Sequence, residues 1–305
     1  MNYLKERSEF LFLYDIKDAN PNGDPLDENK PRMDEETGQI IVTDVRLKRT
    51  VRDYLAIVKG LQVFIVEMKD EDGSLRTKED RSADFEDDPD KILDACIDMR
   101  LFGATTAIKG KTITWTGPVQ FKFGRSLHKV DGPVLIKGTT VMPSKEGKKQ
   151  GTFREEWIVP YALIAFHGVA NEYAAQTTHL TEDDLNLMIE AMWNGTKDLI
   201  TRSKFGQMPR LLLRIVYKES SDFYIGELDK LVKWVPKDDF REEQVRDITQ
   251  GTLVVGELLG AVEKHQNKIA RVEIAVHERF KTEPELASGL KGRLGEGRIK
   301  ILELS

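Results

Sequence analysis

The sequence predicts an α+β fold, and three features predict it. A nearly unbroken apolar run from Phe10 to Tyr14 reads as a buried strand. An amphipathic helix follows, its apolar residues spaced at helical intervals from Val45 to Val58. A second such helix, opened by the capping pattern at Thr181, comes before another apolar strand, "PRLLLRIVYKE". With two insertions set aside, the order is strand, helix, two or three strands, helix, strand. This is the ferredoxin-like βαββαβ pattern, which many RNA-binding domains share with many proteins that bind no RNA.

Each element has a local reason. The first strand, 8–17, gives way to "NPNGDP", Asn20 to Pro25. Pro21 and Pro25 lack amide donors, while Gly23 and the asparagines tolerate turn conformations, so the chain must bend here. Thr43 or Asp44 can cap the first helix, and Gly60 is a natural stop. Val45, Leu47, Val51, Tyr54, Leu55 and Val58 form its expected buried stripe. "LQVFIVEM" reads as a second strand. The segment 69–111 reads as an acidic, loop-rich insertion with one helix from Pro89 to Leu101. "KTITWTGPVQFKFG" contributes strand. Residues 125–155 are expected to form a projecting β-hairpin with a basic tip, "PSKEGKKQG", or else a surface loop. "EEWIVPYALIAFHGVAN" is a central strand in which Pro160 suggests a break. A mixed tail holds a helix around 239–248 and a strand at "ARVEIAVHERF".

The 305 residues are enough for a substantial core, and 40% hydrophobic with 32% charged residues describes a soluble globular chain. No apolar stretch is long enough to span a membrane, and "MNYLKERSEF" is not a signal peptide. The single cysteine, Cys96, excludes an internal disulfide and lies among apolar neighbours, as expected of a buried thiol in a reducing cytoplasm. The net charge of −6 argues against a generally basic nucleic-acid binder, but charge is segregated. Residues 67–98 hold thirteen acids and five bases, whereas 109–154 hold ten bases and two acids.

The first helix concentrates cations. Lys48 and Arg52 are four apart, Arg49 and Arg52 three apart, and Arg46 lies in the first turn, so the four gather near a helix N-terminus where amides and dipole favour anions. The other reading is a solvated face, partly neutralised by Asp44 and Asp53. In an α/β crossover the opening loop and this N-terminus can converge. Asn20, Asn22 and Arg32 would then join the helix cations to hold a sugar–phosphate backbone without reading bases. Arg202, Lys204 and Arg210 form a second basic group, serving either the dipole of the preceding helix or an extended phosphate track.

Catalysis finds less support. The five histidines show no metal spacing, and HExxH, Walker and GxSxG motifs are absent. "DEDG" fails the calcium-loop template. Asp15, Asp24 and Asp34 would have to gather a magnesium for the alternative, a metal-dependent endoribonuclease. No cofactor or metal site is expected. A self-assembling structural protein without nucleic acid is a third reading.

The motifs "FLYDIKDANPNGDP", "PRMDEETGQIIVTDVRLKRTVRDYL", "DMRLFGA", "TGPVQFKFGRSLH", "VPYALIAFHG" and "RSKFGQMPRLLLRIVYK" closely resemble the backbone subunit of type I CRISPR Cascade complexes. The similarity is greatest to the type I-B (Csh) branch, then type I-C (Csd), and runs from about residue 8 to residue 280. The resemblance implies an RRM-like palm with a helical finger insertion and a β-hairpin thumb. It divides the chain into palm at 1–66, an acidic finger-like insertion at 67–111, a palm strand at 112–124, the thumb at 125–155, palm again at 156–218, and a C-terminal extension at 219–305 that completes it. It also implies several copies along one CRISPR RNA, contacts with other Cascade subunits, and target DNA engaged through the guide. Cleavage is left to another protein. Carried onto this sequence, "TDVRLKR" brings Arg46, Lys48, Arg49 and Arg52 to the guide, and "NPNGDP" brings Asn20 and Asn22. The thumb region adds Arg125, Lys145, Lys148, Lys149 and Met142, the last as a wedge beside a displaced base.

Overall fold

A computed structural model describes residues 3–108, 111–139, 153–237 and 240–304. The chain begins with β1 (Ser8–Ala19), followed by the short pieces β2 (Gly23–Asp24), β3 (Lys30–Pro31) and β4 (Met33–Asp34), then β5 (Gln39–Val42) and helix α1 (Asp44–Ile57). The insertion carries α2 (Lys78–Ala83), α3 (Pro89–Ala95) and α4 (Ile97–Phe102), then the hairpin β6 (Gly103–Ile108) and β7 (Lys111–Thr116). Next come β8 (Val119–Phe121), β9 (Gly124–Ser126), β10 (Val134–Thr139), β11 (Phe153–Ala170), α5 (Glu172–Thr178), α6 (Glu182–Lys197) and β12 (Gln207–Tyr217). The C-terminal part holds β13 (Lys233–Pro236), β14 (Gly251–Val254), α7 (Gly256–Lys264), β15 (Ile269–Val276), β16 (Thr282–Glu283), α8 (Leu286–Leu294) and β17 (Ile299–Ile301).

One large mixed sheet organises the described residues, in the order β17-β15-β12-β1-β11-β9-β5-β4. Its middle, β12-β1-β11-β9, is antiparallel throughout, which is the order that a strand–helix–strand–strand–helix–strand chain produces. The sheet is covered on both faces. Phe10, Phe12, Tyr14 and Ile16 enter a core shared with α1 and α6, while Leu11 and Leu13 enter a second core shared with α7 and α8. Double burial is why the apolar run of β1 does not alternate. Each fully buried side chain of this kind contributes about 1.5–3 kcal/mol.

Helix α1 starts where Thr43 accepts a hydrogen bond from the Arg46 amide. It buries Leu47, Val51, Tyr54 and Leu55, but Val45 and Val58 are exposed, so the buried stripe is narrower than the spacing predicted. "LQVFIVEM" is not a strand. Asp98 accepts from the amides of Phe64 (2.7 Å) and Ile65 (3.1 Å), so a side chain satisfies donors that a neighbouring strand would otherwise take. The predicted helix from Pro89 to Leu101 breaks at Cys96, whose extended backbone separates α3 from α4. The expected helix around 239–248 is replaced in the described residues by 3-10 turns, Glu242–Gln244 and Ile248–Gln250.

Pro160 does not end its strand. Lys17 pairs with Tyr161 and Ala19 with Val159, while Asp18 between them adopts φ 50° and leaves the ladder. The missing proline amide therefore has no carbonyl waiting for it. Strands β10 and β11 pair antiparallel from Val134 with Ile158 to Thr139 with Phe153, giving the arms of the expected hairpin. Its tip, with Met142, Lys145, Lys148 and Lys149, lies outside the described residues.

Cys96 is fully buried in a small core of the insertion, with Phe64, Ile92, Leu93, Met99 and Trp115. Burial, with Asp98 nearby, pushes its thiol up to about 12. No helix among the described residues is long and apolar enough to cross a membrane.

Candidate nucleic-acid interface

Three segments meet at the C-terminal end of β1. The first is the opening loop, the second the N-terminal turn of α1, and the third the turn between α6 and β12. The loop is tied to the helix through Asn22, whose Oδ1 accepts from both the amide (2.8 Å) and the hydroxyl (2.9 Å) of Thr43. It is tied to the third segment by Asn20, whose amide donates to Ser203 O at 2.7 Å. Lys204 Nζ returns a bond to Asn20 O at 2.7 Å. The convergence expected from the crossover is present, and it includes Lys204.

The two asparagines are spent on building this loop. Asn20 is only 1% exposed, and its Nδ2 donates to Asn29 O at 2.7 Å. Its buried Oδ1 has no partner among the described residues. Gly23 is required by close approach, since a Cβ there would meet Asn29 O at 2.4 Å.

The four helix cations divide sharply. Arg52 is buried, and its Nε donates to Asp98 Oδ2 at 2.8 Å. Its guanidinium also lies over the Phe102 ring, 5.1 Å from the centroid. Lys48 donates to Asp44 (2.9 Å) and Gln120 (3.2 Å), and its ammonium also lies over Phe102. These two side chains turn inward, which corrects the expectation of an open face carrying both. The reason is Asp98, a fully buried acid supplied by the insertion. Arg49 is exposed and pairs with Asp53 one turn along, at 2.6 Å.

Arg46 is different. It donates to Thr50 Oγ1 at 3.0 Å, and no described carboxylate lies within ion-pairing reach. Burial, above all, lowers its pKa. Lys204 likewise has no described acid partner. Its pKa is lowered to about 8, first by burial and then by the charge of Arg46. Two half-buried cations thus face one another with no compensating acid, an arrangement that costs stability and that a bound anion would relieve.

The remaining predicted cations flank this pair, each with one acid. Arg32 bonds Asp24 at 2.6 Å and Arg125 bonds Asp34 at 2.9 Å. Both arginines line a cleft of about 650 Å³ with Lys30, Met33, Thr43 and Phe123. Arg202 reaches across to Glu156 on the hairpin arm at 3.0 Å. Nearby on that arm, Trp157 lies under the Lys30 ammonium, 5.7 Å from it. Lys30, Phe123 and Trp157 were not singled out from sequence; the aromatic residues among so many bases were the available signal. Arg210 serves the sheet instead. Its Nε lies 2.9 Å from Asp15 Oδ1, outside hydrogen-bond geometry, so the contact is Coulombic.

The three aspartates of the nuclease alternative do not converge. Asp15 is committed to Arg210 and Tyr161, Asp24 to Arg32, and Asp34 to Arg125. Among the described residues no group of three or more His, Cys, Asp or Glu is placed to hold a metal.

The family model of CRISPR-associated protein Cas7 matches residues 6–255. This chain belongs to the Cas7 family. A CRISPR-associated protein Cas7 of Haloferax volcanii is 31% identical over 298 residues, covering 88% of this chain and 86% of that one. Among solved structures, a chain of a CRISPR RNA-guided surveillance complex in a pre-nicking state superposes with a TM-score of 0.53 at 12% identity, over 90% of this chain and 95% of its own. A chain of a second CRISPR RNA-guided surveillance complex gives 0.50 at 13% identity, over 94% and 99%. These Cas7 relationships agree with the family resemblance read from the motifs, and the structural likenesses show a shared fold.

Proposed function

We propose that this Cas7 protein is the CRISPR RNA-binding backbone subunit of a type I-B (Csh) Cascade surveillance complex. Several copies line one guide, grip its sugar–phosphate chain without regard to sequence, and leave its bases free to pair with target DNA. The observation that carries the reading is the Arg46–Lys204 pair, two cations without an acid at the meeting point of three segments. Arg32, Arg125, Arg49 and Arg202 extend the track, exchanging an aspartate or glutamate for phosphate. Lys48 and Arg52 support the helix from within. Asn20 and Asn22 shape the loop that brings the cations together.

In this reading the large sheet with α1 and α6 is the palm, the acidic insertion is the finger region, and the β10–β11 hairpin is the thumb. The insertion's acids are largely occupied locally. Asp84 binds Arg76 and Arg81, Asp80 caps α2, and Asp98 holds Arg52. That lessens the repulsion of a neighbouring polyanion. The subunit binds and does not cleave, and its other partners are further Cascade subunits.

The test is co-purification of the full chain with RNA, followed by extraction and sizing. The reading expects bound RNA of varied sequence and an affinity that falls steeply with salt, because phosphate contacts release counterions. A chain free of RNA that also fails to bind single-stranded RNA in low salt would overturn it. Magnesium-dependent cleavage of repeat RNA would favour the nuclease alternative.

A further inference from the structure

Resting on the phosphate site just proposed, we infer that Phe205 is a stacking platform for one nucleobase of the bound single strand, beside the Arg46–Lys204 pair. Phe205 follows Lys204 directly, and its side chain is 69% exposed. Among the described residues it makes no ring or cation contact. A single exposed phenylalanine needs no explanation by itself. The way this one is held does.

The turn that carries it is anchored on both sides. Ser203 O accepts from Asn20, the Phe205 amide donates to Thr201 O at 2.9 Å, and Lys17 donates to Gly206 O at 3.3 Å. Gly206 adopts φ 98°, and a Cβ there would lie 2.8 Å from Lys17 O, so glycine alone lets the turn seat on β1. The ring is therefore presented from a fixed backbone, next to cations whose backbone is fixed by the same bonds.

A nucleotide offers an anion and a flat π surface a short distance apart. Lys204 and Arg46 suit the anion, and Phe205 suits the face. Charged and polar neighbours, Arg202, Ser203 and Lys204, argue against an apolar protein partner, which would want a wider apolar patch. Stacking uses the face of a base and not its pairing edge, so it is compatible with a guide that must still pair.

The test measures binding of the full chain to a short uridine oligomer and to its abasic sugar–phosphate counterpart. Phe205→Ala is expected to weaken uridine binding about tenfold and leave abasic binding unchanged, with Phe205→Trp restoring the uridine affinity. Equal loss on both oligomers, or loss on neither, overturns the platform. Altered self-association with unchanged binding would mark Phe205 as a protein contact and also overturn it. Failure of the unsubstituted chain to bind the abasic oligomer would remove the phosphate site itself, and the platform with it, a result separable from the Phe205 comparison.

Discussion

Arg52 donates to Asp98 across 2.8 Å inside the protein, and the same carboxylate holds the amides of Phe64 and Ile65. One acid therefore joins α1, the segment after it and the insertion. Replacing Arg52 by Ala leaves a buried carboxylate without its cation and should cost about 3–5 kcal/mol. Arg49→Ala removes an exposed pair and should cost at most about 1 kcal/mol. Urea denaturation of the two variants checks this; equal stability would show that Arg52 is not a structural residue.

Asn22 provides only an acceptor to Thr43. Asn22→Ala should loosen the opening loop and cost about 1–2 kcal/mol, with weaker RNA binding as a consequence. Asn22→Asp keeps the acceptor and should keep the stability, yet its charge beside the cation track should still weaken RNA binding. Thermal melts and RNA titrations of both variants separate the two roles. If Asn22→Asp bound RNA as the parent chain does, the electrostatic part would be wrong.

Legibility in the sequence followed range. β1, α1, α6 and β12 could be read because periodicity and capping are local. The convergence of the opening loop with α1 followed from crossover geometry. The pairing of Arg52 with Asp98 could not be read, because the partners are distant in sequence and Asp98 sits in a segment whose acids look alike. The same distance hid the false strand at "LQVFIVEM", whose amides find a side chain, and hid Lys204 as the neighbour of Arg46. Helices α7 and α8 were missed in the mixed tail; the second core that buries Leu258, Leu259, Leu286 and Leu290 is assembled only in the fold.

Gly23 sits against the backbone of Asn29. A Cβ there would meet Asn29 O at 2.4 Å, so Gly23→Ala must displace the loop. The expected outcome is reduced RNA affinity with the large sheet intact. Circular dichroism together with RNA titration reads both, and unchanged affinity would detach the loop from the site.

Lys204 links binding to pH. Its ammonium titrates at about 8 in the free protein because burial and Arg46 disfavour its charge. A phosphate placed there favours the charged form, so RNA binding takes up a proton and affinity should fall as pH rises through about 8. Folding carries the opposite sign. Between about 8 and the ordinary lysine value the unfolded chain holds the proton and the native chain does not, so this group makes stability rise with pH across that window. Lys204→Met should flatten both dependences. Titrations on either side of pH 8 decide it, and a Lys204→Met variant with the parent's pH profile would assign the dependence elsewhere.

The most direct test of the central claim is the salt dependence of RNA affinity in an Arg46→Ala, Lys204→Ala double variant, with folding checked by its thermal melt. The account predicts a folded protein whose RNA affinity drops and whose slope of log affinity against log salt falls by about two. A folded variant with the parent's affinity and slope would contradict it.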